Sequence, residues 1–417
     1  MAGKTIKIIS DDFKSYFASG KYIFLFNLLE RITFFAFYIS IARYVDKDLY
    51  GFIVTVFTFT NIVATIFDLG IPIYFHRESA IGRADIKFLF HGFVIKIFFL
   101  LIFFPLPFIY FIKDFQNFEV IFLVTLINYF SPLNQILIFY LNGKNKFKEN
   151  FLSILFTRIP LFIYILIATI YQMDIKLSLF AILLSLIFQN LFLLKFSSVS
   201  FTDLINQKFN FNKALDLIRR TAAFGLSVIF TMLYDRMGVL ILQKYSGYES
   251  VAIYSAAYAI YKHTSMIFGI VLVRSYNIYS ISYSREKRIF YKDVFSSIKS
   301  LTILLILLIF LFTFFSDMLI NIFYTTKFKS SAEVLNILAI GLPFLFLSNL
   351  TGTILNSARK EKYTAISTFL GMIVNFLMNI LLIPKFGIIG AVVTNISTEA
   401  FVLILECLLI KKLIRFS

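Results

Sequence analysis

The chain has 417 residues, of which 59% are hydrophobic and 15% charged, with a formal net charge of +17 and a mean hydropathy of +0.85. Soluble domains run at roughly 45–50% apolar and about 25% charged residues, so the composition excludes a soluble globular enzyme and indicates a polytopic membrane protein. The single cysteine, Cys407, excludes an intramolecular disulfide and a cysteine-cluster metal site, and His76, His91 and His263 lack ligand spacing, so no metal centre is expected.

Apolar stretches of about 17–25 residues can cross a bilayer. Taken in chain order, the first half predicts six such spans, at 22–42, 50–72, 88–111, 120–141, 151–171 and 177–194. The second half predicts six more, at 221–242, 251–273, 297–315, 334–355, 365–383 and 388–410. The first run lacks a short core followed by a small-residue cleavage site and reads as a retained helix. With 23 tyrosines and no tryptophan, an interfacial aromatic belt has to be built from tyrosine.

Basic residues crowd one set of alternate segments. These are the N-terminal tail (Lys4, Lys7, Lys14) and the loops after even-numbered spans, including Arg274, Arg285, Lys287 and Arg415. The opposite loops hold Arg43, Lys47, Lys113, Lys176, Lys244, Lys327, Lys329 and Lys385. The positive-inside rule then places both termini in the cytoplasm, and it accounts for most of the net charge without a nucleic-acid partner. The basic, aromatic stretch 274–296 reads either as an ordinary cytoplasmic loop or as a segment lying on the anionic inner leaflet.

An internal repeat divides the chain. The segment LNGKNKFKENFLSI at 141–154 resembles LNSARKEKYTAISTF at 355–369, and RYVDKDLYGF at 43–52 echoes KYSGYESVAI at 244–253. The expected architecture is all-α, with two six-helix lobes at 1–196 and 216–417 joined by a cytoplasmic linker at 197–215. Parallel repeats of this kind recur among transporters, with the cargo site between lobes.

Charge inside the spans carries the functional argument. A cation costs about 2.5–3.5 kcal/mol at the centre of a membrane helix on insertion scales, so such residues face partners or water. Arg31, Lys96, Arg158, Arg236 and Lys262 form a candidate ladder of cations for an anionic cargo. Arg31 and Lys262 fall near mid-membrane, Lys96 and Arg158 nearer the cytoplasm, and Arg236 nearer the outside. The competing reading pairs some of them with acids, or lets Lys96 and Arg158 snorkel to the interface. Glu30, Asp235 and Glu399 are the deep acids, candidates for a coupling proton or sodium ion or for structural counter-charge. Glu30–Arg31 and Asp235–Arg236 are adjacent in sequence, so their side chains are expected to diverge. Polar stripes on spans four, ten and eleven, represented by Asn128, Asn349, Asn356, Asn375 and Asn379, can meet sugar hydroxyls or serve helix–helix contacts.

Three segments carry a family resemblance: FDLGIPIYFHRESA at 67–80, the stretch from FGLSVIF to YSAAYAI at 224–260, and NSARKEKYTAISTFLGMIVNFLMNILLIPKFGIIGAVVTNISTE at 356–399. Together they resemble the polysaccharide-biosynthesis branch of the multidrug/oligosaccharidyl-lipid/polysaccharide (MOP) exporter superfamily, the Wzx-type O-antigen flippases. The resemblance implies a twelve-helix fold like that of the multidrug and toxic compound extrusion (MATE) transporters. It also implies a non-enzymatic flippase in the bacterial inner membrane that moves undecaprenyl-pyrophosphate-linked oligosaccharide to the outer leaflet for O-antigen and lipopolysaccharide or another surface polymer, beside a polymerase and chain-length machinery. No cofactor is expected. The sequence has no GxxxxGK[ST] nucleotide loop, so drive would come from membrane potential, a proton or a sodium ion. Two other classes remain open at this point. A multidrug exporter would favour an acidic cavity, and a membrane polymerase or ligase would need a sizeable outward loop that the span pattern lacks.

Overall fold

The computed structural model describes residues 2–83, 86–197, 199, 202, 204, 206–285 and 287–415. The side chains of Lys4, Lys7, Lys14, Arg274, Ile281, Arg285, Lys287 and Arg415, and parts of the 197–215 linker, lie outside the described residues. Helix is the only regular structure among the described residues. That outcome follows from apolar composition, because a chain surrounded by lipid must close its backbone hydrogen bonds within each segment.

The helices are α1 (Ala2–Tyr44), α2 (Lys47–Asp68), α3 (Ile71–Ala80), α4 (Ile86–Phe103), α5 (Leu106–Tyr110), α6 (Phe118–Gly143), α7 (Phe147–Tyr171) and α8 (Ile175–Ser197). There follow α9 (Phe211–Arg285), α10 (Lys287–Phe314), α11 (Ser316–Tyr324), α12 (Ser330–Ala339), α13 (Leu342–Ser357) and α14 (Glu361–Arg415). Each of the twelve predicted spans lies mostly on helix, with turns at 69–70, 104–105 and 340–341 interrupting the second, third and tenth. Eight described helices are long and apolar enough to cross a membrane, nine if the bent pair α12 and α13 is one span. Two long helices each hold two predicted spans, because the chain breaks inside them at Gly247 (φ 80°, ψ 178°) and Gly387 (φ 54°, ψ −127°). The stretch 274–296 belongs to helix on either side of residue 286, not to an open loop.

The chain divides into two compact units. The first comprises Met1–Tyr44 and Phe59–Ile229, the second Val45–Thr58 and Phe230–Ser417. The expected boundary at 196–216 therefore shifts into α9, and the first half of α2 groups with the second unit. Packing explains that exchange. Tyr50 meets Tyr324 and Phe328 edge-on, Phe52 meets Tyr248 at 90°, and Lys47 pairs with Glu249. Gly51 is pressed so closely on the Tyr248 carbonyl that a Cβ would overlap it.

Within the first unit α1 packs on α7, α6 on α3 and α8, and α7 on α8. A core of Ile71, Phe75, Leu89, Ile136, Tyr140 and Leu217 fills the α3–α4–α6 side. Within the second unit α13 packs on α14, and α12 on α10, α11 and α14.

The repeat is visible as backbone geometry. Lys144 and Ala358 cap their helices with the same dihedrals (φ −84°, ψ 9°), and Asn145 and Arg359 follow at the same left-handed φ of 58°. The hydrogen bonds match as well: Lys146 N–H donates to Leu141 O and Lys360 N–H to Leu355 O, both at 2.9 Å. Asn142 Oδ1 accepts from Asn150 at 2.7 Å, and Asn356 Oδ1 accepts from Thr364 at 3.0 Å.

Candidate functional site

The first unit holds two polar centres in its core. Arg158, on α7, is 1% exposed. Its Nη1 donates to Ser185 Oγ at 2.5 Å and its Nη2 to Gln189 Oε1 at 3.1 Å, both on α8. Asn134, on α6, extends the network to the Leu186 carbonyl at 2.9 Å and accepts from Asn190 at 2.9 Å. The Phe34 ring stands 5.8 Å from the guanidinium, and Glu30, on α1, acts electrostatically on both Arg158 and Arg31. A guanidinium suits this place because its planar fork reaches two acceptors spaced four residues apart on one helix face.

Lys96, on α4, is 2% exposed and does not snorkel. It pairs with Asp68 at the end of α2 and donates to the Pro132 carbonyl at 2.8 Å. Asn128 is likewise buried and donates to Thr60 Oγ1 at 2.5 Å. Arg31 is exposed and Glu30 half-buried.

The second unit gathers its charges on α9. Lys262 Nζ donates to Asp235 Oδ1 at 2.6 Å, and Tyr258 Oη donates to the same oxygen at 2.9 Å. Arg236 Nε stands 3.5 Å from Asp235 Oδ2. The expected divergence of these sequence neighbours is thus offset by the length of the arginine chain, which folds back along the helix. Tyr254, Tyr258 and Lys262 recur every fourth residue, which puts them on one face of α9. Asp235 is 21% exposed, whereas its partners Lys262 and Arg236 are 36% and 46% exposed. The carboxylate is less exposed than either cation that flanks it.

Further acids lie on α14. Glu399 is buried and accepts from Ser348 Oγ at 2.7 Å. Glu406, buried among Thr351 and Ser367, carries its own arrangement of partners. Asn379 donates to Asn375 at 2.7 Å and Asn375 to Thr398 at 3.3 Å, so these two buried amides join α14 to itself across its break. Asn349 is exposed and Asn356 half-buried. Of the polar stripe, only the span-ten pair keeps accessible surface, and Asn128, Asn375 and Asn379 spend their amides on helix contacts.

Five interior cations are thus matched by five acids: Glu30, Asp68, Asp235, Glu399 and Glu406. Accessibility divides both sets: Arg31 and Arg236 are exposed, Lys262 is half-buried, and Lys96 and Arg158 are buried, while Glu30, Asp68 and Asp235 are half-buried and Glu399 and Glu406 buried. Sequence reasoning missed Asp68 as partner of Lys96, and Ser185 and Gln189 as the cradle of Arg158. The i,i+4 spacing of that serine and glutamine was the available signal. No group of three or more metal-ligating side chains occurs among the described residues.

These helices and polar cores can be set beside known proteins. The family described as "Polysaccharide biosynthesis protein" matches residues 18–276, and the family MatE matches residues 223–381. An inward-facing multidrug resistance MATE family transporter of the MOP superfamily superposes with a TM-score of 0.69 at 16% identity, covering 94% of this chain and 96% of that one. Lipid II flippase MurJ, in an inward closed conformation, superposes with a TM-score of 0.68 at 17% identity, covering 93% and 87%. The uncharacterized membrane protein MJ1068 of Methanocaldococcus jannaschii is 34% identical over 104 residues, which is 25% of this chain and 20% of that protein. The matched stretch therefore spans about a fifth of this curated relative.

The fold is like that of the superposed MATE transporter and of MurJ. The chain belongs to the polysaccharide biosynthesis protein family.

Proposed function

We propose that the protein is a flippase that carries undecaprenyl-pyrophosphate-linked oligosaccharide from the cytoplasmic to the outer leaflet of the bacterial inner membrane, supplying O-antigen or another surface polysaccharide. One observation supports this reading beyond family membership: in the second unit Lys262 and Arg236 are more exposed than the Asp235 they flank, while Glu399 and Glu406 are buried. A pyrophosphate bearing about two negative charges cannot cross hydrocarbon unaided. Arginine offers its oxygens a bidentate fork, and lysine a mobile point charge. Arg236 and Lys262 are the proposed seat in the second unit, and Arg31 is a separate candidate in the first. Asn349 and Asn356 are the stripe members with surface left for sugar hydroxyls. Lys96 and Arg158 hold helices together in this scheme, since Lys96 is paired with Asp68 and both Nη groups of Arg158 are engaged on α8.

Energy can come from the membrane itself. With the cell interior negative, about 100 mV favours outward movement of a −2 head group by roughly 4–5 kcal/mol. A proton or sodium ion exchanged at a deep carboxylate is the other proposed drive. A polymerase and chain-length machinery would consume the product outside.

A second reading, export of cationic drugs, is favoured by the MatE match over residues 223–381 and by Asp235, Glu399 and Glu406 in that unit. The two make opposite predictions in proteoliposomes. With an undecaprenyl-pyrophosphate-linked glycan, outer-leaflet glycan reached by an impermeant glycosidase should rise with the protein present and fall when Arg236 and Lys262 are both changed to Gln. Export of an organic cation, with no glycan movement, would overturn the flippase reading.

A further inference from the structure

Glu406 lies near the end of α14 and is 2% exposed. Among the described residues no lysine, arginine or histidine forms an ion pair with it. Its carboxylate instead meets two hydroxyls. Thr351, on α13, donates to Oε2, and Ser367, on the first arm of α14, donates to Oε1 at 2.8 Å. Each hydroxyl has one proton and another acceptor within reach. For Thr351 these are the Ser348 and Leu347 carbonyls at 3.0 and 3.1 Å; for Ser367 it is the Thr364 carbonyl at 2.9 Å. A Cβ on Gly352 would stand 3.9 Å from both carboxylate oxygens, so α13 passes the acid closely and without a side chain there.

The surrounding helices bring few groups that could compete for the proton. From Leu342 to Ser357, α13 has no titratable side chain. On α14 the titratable groups are Glu361, Lys362, Tyr363, Lys385, Glu399, Cys407, Lys411, Lys412 and Arg415. Of the described ones, Glu399 acts on Glu406 electrostatically, and Glu406 in turn acts on Cys407. Packed neighbours add Glu333 on α12, and Arg288, Tyr291, Lys292, Asp293 and Lys299 on α10. Where α9 reaches Gly371 and Asn379 it brings Tyr234, Asp235 and Arg236, whose charges engage Glu399, Lys262 and one another.

We propose that Glu406 is a reversible proton-binding site, built so that its two hydroxyl partners complete its hydrogen bonds in either charge state. With the carboxylate ionised, Thr351 and Ser367 both donate to it and tie α13 to both arms of α14. When a proton joins Oε1, the acid O–H donates to Ser367 Oγ, and Ser367 turns its own proton to the Thr364 carbonyl. Thr351 continues to donate to Oε2. No buried polar atom loses its partner in the exchange, so loading and unloading avoid the cost of an orphaned group. This site stands whatever the cargo proves to be.

Infrared titration of the full chain in nanodiscs tests it. The carboxylic C=O band of Glu406 should appear and disappear reversibly with pH and be missing in Glu406→Gln. Thr351→Val removes a donor to the ionised form and should move the midpoint of that band by about one pH unit toward higher pH. Ser367→Ala removes a donor to the ionised form and also the acceptor of the acid O–H, so it should change the frequency of that band and move its midpoint less than Thr351→Val does. If Glu406→Gln fails to fold, the two hydroxyl variants carry the test alone. Spectra of wild type and Glu406→Gln that superpose at every pH would overturn the proposal, and so would a midpoint unmoved by either hydroxyl variant.

Discussion

Lys262 and Asp235 lie on the two arms of α9 that flank its break at Gly247 and are joined at 2.6 Å, and the same carboxylate also holds Tyr258 and Arg236. One carboxylate beside two cations leaves the group with a net charge of +1, and if the group binds an anion, Asp235 is the internal competitor for both cations.

That arrangement predicts the effect of removing the internal competitor. Asp235→Asn should tighten binding of inorganic pyrophosphate to the purified protein, by about tenfold for each 1.4 kcal/mol of competition relieved. Lys262→Gln and Arg236→Gln should weaken it. Titration calorimetry reads both directions, and weaker binding by Asp235→Asn would assign the carboxylate to the ligand's side of the site.

Lys96 and Asp68 are predicted to be a structural pair. Removing one partner of a buried ion pair costs about 3–5 kcal/mol, while replacing both by neutral groups of similar size is often neutral. Lys96→Met and Asp68→Asn should each lower the melting temperature in detergent, and the double variant should recover most of the loss. A double variant as unstable as either single would show that the two act separately.

Arg158 should prove intolerant of its own close analogue. Lysine keeps the charge but loses the fork that spans Ser185 and Gln189. Arg158→Lys is expected to cost about 1–3 kcal/mol of stability through buried acceptors left unpaired. Equal melting temperatures for wild type and Arg158→Lys would remove the bidentate geometry from the account.

The repeat supplies a stabilising substitution. Arg359 holds a left-handed backbone that costs a non-glycine residue about 1–2 kcal/mol. Arg359→Gly should raise the melting temperature, and Asn145→Gly should raise it less, because asparagine already tolerates that conformation. A lower melting temperature for Arg359→Gly would mean that its side chain contributes more than its backbone costs.

Much of the fold was legible in the chain. Apolar runs fix helices because lipid offers no partner to an open backbone, and the segments at 141–154 and 355–369 announced a repeat that their matching turns bear out. Charges within those runs marked Arg158, Lys96, Asp235 and Lys262 as polar centres before any geometry was known.

What sequence could not decide was partnership and access. Hydropathy treats Lys96 and Lys262 alike, yet one is sealed against Asp68 and the other stays partly open beside Asp235. It placed residues 45–58 in the first lobe, whereas the packing of Tyr50 and Phe52 carries them into the second unit. Burial and pairing depend on residues far apart in the chain, so they emerge only when helices meet. The sequence by itself determined a membrane-embedded, charge-bearing, duplicated bundle; tertiary contact alone decided which of those charges are buried and which partners they take.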